Sequence, residues 1–139
     1  MILKRPMKHQ TLHGTIVHGD RIGRTIGFPT ANLQTADPLP ERGVYVARMA
    51  WDTGQGFGML NIGTRPTVEG TSLRVEMHLL DFQGDLYGKT VSVQLLHFLR
   101  KEKKFAGTEE LRQQLSDDRR QTEAFLRNHP ETDKPQDHA

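Results

Sequence analysis

The stretch "SLRVEMHLLDF" (72–82) puts Leu73, Val75, Met77 and Leu79 on one side of an extended chain and Arg74, Glu76 and His78 on the other. A repeat of two belongs to a pleated strand, and its apolar side needs a partner layer. Upstream segments carry similar texture. "TLHGTIVH" (11–18) is short and rich in β-branched residues, and "GVYVARMAW" (43–51) sets Val44, Val46 and Arg48 against Tyr45, Ala47 and Met49. "FGMLNIGT" (57–64) follows a glycine-rich turn at Gly54 and Gly56. Downstream, "GDLYG" (84–88) reads as a turn that brings "TVSVQLLHFL" (90–99) back as the antiparallel partner of 72–82. Short strands separated by turn residues predict a mainly β fold, a small antiparallel barrel.

After residue 105 the period changes. Thr108 is placed to cap a helix, with Glu109 and Glu110 at its favourable positive end. Leu111, Leu115, Thr122, Phe125 and Leu126 then share one face, which predicts an amphipathic helix over 108–128 lying against the barrel. The expected domain is 1–128, and the polar, proline-containing 129–139 reads as a disordered tail.

Composition narrows the functional classes. A chain of 139 residues suits one domain. The absence of cysteine excludes disulfides, thiolate metal sites and cysteine nucleophiles. No apolar run approaches the ~18–20 residues that span a bilayer. The first ten residues, "MILKRPMKHQ", lack the apolar middle of a signal peptide, so a cytoplasmic protein with no membrane partner is expected. A formal net charge of +2 and 6% aromatics give no basic, aromatic-rich face for nucleic acid.

The run "GDRIGRTIGFPTAN" (19–32) is different in kind. Gly19, Gly23 and Gly27 let backbone N–H groups approach a ligand, and Arg21 and Arg24 among them suit a polyphosphate. A plain surface turn is the alternative reading. If 30–32 is extended, Thr30 and Asn32 point to one side, offering a hydroxyl and an amide oxygen that a magnesium ion accepts. On the strand pattern alone, Glu76 reads simply as a solvated carboxylate. Likewise His9, His13 and His18 do not share one helix face, and "RKEKK" (100–104) reads as a solvated run or as a neighbour of ligand phosphates.

The run "VHGDRIGRTIGFPTANL" (17–33) resembles the signature of the riboflavin kinase family, above all in Pro29-Thr30-Ala31-Asn32. The likeness continues in "NIGTRPTVEG" (61–70), "VEMHLLDFQGDLYG" (75–88) and "LRKEKKF" (99–105), covering roughly residues 3 to 126. It implies a six-stranded antiparallel Greek-key barrel with a C-terminal helix packed against it. It also implies transfer of the γ-phosphate of ATP, the co-substrate, to the ribityl 5′-hydroxyl of riboflavin, giving FMN and ADP.

By the same resemblance Glu76 is the catalytic base, and Thr30 and Asn32 hold Mg²⁺ and the ATP phosphates. Gly19, Gly23 and Arg24 then close over the nucleotide. Phe98, Phe105 and Leu111 read as core residues or as candidates for the flavin pocket. The sequence departs from the family's pattern at Thr122-Glu123, where an Ala-Arg pair is common, and at Val68, where an aromatic is common. The lead-in "LKRP" (3–6) resembles the linker that joins this module to a preceding adenylyltransferase domain in bacterial bifunctional enzymes. That implies either a stand-alone kinase or one half of such an enzyme, with that domain as an expected partner. Two rival readings follow: a non-catalytic flavin- or nucleotide-binding regulatory barrel, favoured by the altered helix, and a barrel for single-stranded nucleic acid.

Overall fold

The computed structural model describes residues 10–18 and 30–130, apart from the side chains of 65–67. Within them run six strands, β1 (Thr11–Val17), β2 (Ala31–Thr35), β3 (Gly43–Trp51), β4 (Gly54–Thr67), β5 (Gly70–Leu79) and β6 (Thr90–Lys101), then one helix, α1 (Thr108–Asn128). The strands close into an antiparallel barrel in the order β1-β2-β5-β4-β3-β6. Hairpins join β3, β4 and β5, and β6 returns to lie beside β3, the arrangement of a Greek key.

Closure explains the alternation that first suggested a strand. Val75 and Met77 point into the lumen, where they meet Leu12, Leu33, Tyr45, Leu60 and Val93 in one apolar cluster. Each such aliphatic side chain contributes about 1.5–3 kcal/mol by leaving water. Leu73, expected on the same face, is 54% exposed, because the near end of β5 extends past the lumen.

β3 is buried on both sides from Gly43 to Met49. Its odd-numbered side chains fill the lumen. Val44 and Val46 lie on the outer face, where β4 and β6 receive α1 and His97 stacks on Phe125 at 4.8 Å.

Three expectations change. Segment 90–99 is not the partner of 72–82: β5 pairs with β4 and β2, whereas β6 pairs with β3 and β1. The link between them is more than a turn. Leu86 enters the core, the Gly88 N–H donates to the Ile16 carbonyl (2.8 Å), and the Ile16 N–H donates to Lys89 (3.0 Å). This docks the link on β1 and delivers β6 to the far side of the barrel.

The glycine-rich turn before residue 57 is really strand, since Gly54 already pairs with Trp51 and Gly56 with Met49. The helix is capped by Gly107, not Thr108. Gly107 has an extended backbone and its carbonyl accepts the Leu111 N–H at 3.2 Å, while Thr108 is the first helical residue.

Candidate functional site

Antiparallel register gathers the polar side chains. Asn32 on β2 lies opposite Glu76 on β5, and Glu76 lies opposite Asn61 on β4. Directly opposed residues place their side chains on one face, a few ångströms apart. Because Val75 and Met77 fill the lumen, the row Asn32–Glu76–Asn61 stands on the barrel's outer surface.

Thr30, immediately before β2, donates its hydroxyl to Glu76 Oε2 at 3.1 Å. The other carboxylate oxygen faces Arg74 Nη1 at 3.7 Å, and the Arg74 and Glu76 side chains are each only 17% exposed. Glu76 is therefore a held carboxylate and not a freely solvated one. Asn32 Oδ1 is buried and has no hydrogen-bond partner among the described residues. A buried amide oxygen without a donor is costly, which suits a site that a cation or a ligand N–H completes.

Two clefts meet at this row. Beyond the Asn32–Glu76 pair β2 and β5 part, leaving an opening of about 570 Å³ bordered by His18, Asn32, Leu39, Leu73 and Arg74. On the other side a cleft of about 300 Å³ is bordered by Asn61, Glu76, Arg100, Phe105, Leu111 and Leu115 among others. Arg74 borders both.

The structure thus unites Thr30, Asn32 and Glu76, and puts Phe105 and Leu111 in the cleft that Glu76 faces. Phe98 stands elsewhere, packed edge-on to Tyr45 with ring centroids 5.1 Å apart. Gly19, Gly23 and Arg24 lie outside the described residues, as do His9 and residues 131–139. His13 meets Asp37 at 3.3 Å and His18 stacks on Tyr87 at 3.7 Å. No three His, Asp or Glu side chains among the described residues group as a metal site.

"RKEKK" is only partly solvated. Lys103 and Lys104 are exposed, but Glu102 accepts both the N–H (2.6 Å) and the hydroxyl (3.0 Å) of Thr64. The Thr64 N–H holds the Glu102 carboxyl below its ordinary pKa against the opposing effect of burial; the Thr64 hydroxyl, Lys104 and Arg42 add to the lowering.

Arg100 forms a two-point pair with Asp118 of α1, Nε to Oδ1 at 2.9 Å and Nη2 to Oδ2 at 2.8 Å. Asp118 is 1% exposed, and the sequence reading missed it. A signal was available: positions 111, 115, 118 and 122 trace one helical stripe, and an acid in that stripe asks for a buried cation.

A family model described as "Flavokinase: Riboflavin kinase" matches residues 6–126. The bifunctional riboflavin kinase/FMN adenylyltransferase of Haemophilus influenzae is 38% identical over 121 residues, covering 86% of this chain and 39% of its own length. Its counterpart in Escherichia coli K12 is 45% identical over 112 residues, covering 77% and 35%. The chain therefore spans about two fifths of the curated relatives it matches.

Among solved structures, one from Streptococcus pneumoniae described as a macrolide-efflux protein aligns with a TM-score of 0.74 at 37% identity, over 81% of this chain and 38% of that one. The riboflavin kinase of Trypanosoma brucei aligns with a TM-score of 0.61 at 20% identity, over 96% and 95%, and bears on the fold alone. Among the described residues no helix is long and apolar enough to cross a membrane.

Proposed function

This chain belongs to the riboflavin kinase family, and from that premise we propose that it transfers the γ-phosphate of ATP to the ribityl 5′-hydroxyl of riboflavin, releasing FMN and ADP. The observation that carries the reading is the place of Glu76. Its carboxylate is fixed by Thr30 at 3.1 Å, opposite Asn32, where two clefts meet. A two-substrate transfer needs such a junction, with one substrate on each side and the acceptor hydroxyl at the carboxylate.

In this reading the nucleotide lies on the Asn32 side. The flavin lies in the cleft bordered by Phe105 and Leu111, its ribityl chain reaching Glu76. The 5′-oxygen attacks the γ-phosphorus as the bond to the β,γ-bridging oxygen breaks, and ADP leaves with that electron pair. The hydroxyl proton passes to Glu76. Phosphoryl transfer of this kind rests on positioning and charge neutralisation, so late proton removal by a carboxylate suffices.

Thr30 and Asn32 would hold Mg²⁺, since both offer neutral oxygen donors and Asn32 Oδ1 is buried without a partner. That ion neutralises charge on the phosphate oxygens when bound. The second activity in the relatives' names is not assigned to this barrel.

The test is to incubate the protein with riboflavin, ATP and Mg²⁺ and separate the flavins by chromatography. FMN without FAD is the expected product. Riboflavin bound but left unphosphorylated would instead indicate a regulatory barrel.

A further inference from the structure

Arg100 borders the proposed flavin cleft and Asp118 stands behind it, paired with it, but neither has a part in the chemistry above. Asp118 sits under α1 with its carboxylate fully engaged. Arg100 occupies both oxygens, and Gln114 Nε2 donates to Oδ1 at 2.9 Å. Its carbonyl also accepts the buried Thr122 hydroxyl at 2.8 Å. A two-point pair fixes the plane of a guanidinium as well as its position. Here the fixed group faces the Phe105 ring, its central carbon 5.9 Å from the ring centroid. Arg100 and Phe105 both border the cleft that contains Glu76.

We propose that Asp118 is a positioning residue for substrate binding: by clamping Arg100 it holds Phe105 as a fixed wall of the cleft facing Glu76. The inference rests on that cleft being the flavin site. It adds that the helix governs flavin affinity through Asp118 and Arg100, at a distance from the Thr30–Asn32–Glu76 group. This supplies a role for the helix despite Thr122-Glu123 at the positions where the family commonly has Ala-Arg.

The test compares wild type with Asp118→Asn and Arg100→Lys by fluorescence titration with riboflavin and by steady-state kinetics. Asn keeps the shape but loses the charge; Lys keeps the charge but loses the planar fork. Both variants should raise the riboflavin Kd and KM about tenfold while the ATP KM stays within about twofold and kcat within about threefold.

A purely structural role would instead lower the folded, active fraction and hence apparent kcat, with riboflavin KM unchanged. That outcome overturns the proposal while leaving the kinase reading intact. Wild type that fails to bind riboflavin overturns both. Should Asp118→Asn not fold, Arg100→Lys decides alone, because it preserves a cation beside the buried acid.

Discussion

The Thr30 hydroxyl and the Glu76 carboxylate, 46 positions apart in sequence, are joined by a hydrogen bond of 3.1 Å across the β2–β5 seam. That bond aims the carboxylate before any substrate arrives, because the strand that follows the glycine-rich segment is the strand paired with Glu76. Replacing Glu76 by Gln keeps the size and leaves an amide oxygen to accept from Thr30, but removes a base. We expect Glu76→Gln to bind ATP nearly as wild type and to slow transfer by roughly 10²-fold or more. Single-turnover kinetics with a separate nucleotide-binding titration check this, and near-normal turnover removes Glu76 from the role.

Asn32 makes a different demand. Its Oδ1 is buried without a partner, on a face shared with Glu76. If a cation completes that oxygen, Asn32→Ala raises the Mg²⁺ concentration needed for half-maximal activity and weakens metal-dependent ATP binding. A magnesium titration at fixed ATP is the measurement. An unchanged magnesium dependence assigns the ion to other ligands.

The strand alternation at 72–82 was enough to place Glu76 opposite the lumen, because Val75 and Met77 declare the inner face unaided. It could not say which strands lie beside it. Strand pairing is set by the links, and the 80–89 link hides a core residue, Leu86, inside what looks like a polar turn.

Asp118 is legible only in part: its place in the stripe 111, 115, 118 and 122 marks it for burial, but nothing local names Arg100, on another element, as its partner. The meeting of Thr30, Asn32 and Glu76 was expected only from the family resemblance. Spacing alone leaves Glu76 a surface charge, since nothing local announces a bond across 46 residues.

Gly58 tests the packing of the barrel directly. A Cβ at this position would lie 1.9 Å from the His78 carbonyl oxygen on the paired strand, a backbone atom that cannot swing away. Gly58→Ala must therefore push β4 from β5 at the end of the strand that carries Glu76. The expected loss is about 1–3 kcal/mol, the usual range for overpacking. Urea unfolding reads it as a lower midpoint, and an unchanged midpoint shows that the two strands part without cost.

Glu102 gives the chain an acid-sensitive contact. Its carboxyl is held below the ordinary value, first by the Thr64 N–H at 2.6 Å and then by the Thr64 hydroxyl, with Lys104 and Arg42 each 3.9 Å away. A folded-state pKa below the unfolded one means that the unfolded chain binds the proton more readily. The stabilisation is then fully present above the unfolded value, near 4.5, and disappears as pH falls through the lower folded value.

At 21% exposure the side chain is partly screened, so the effect is modest. Glu102→Gln should lower the thermal midpoint at neutral pH and flatten its decline below about pH 4.5 relative to wild type. Melting curves taken from pH 7 down to pH 3 make the comparison. Parallel declines in the two proteins would show that Thr64 does not depend on an ionised Glu102.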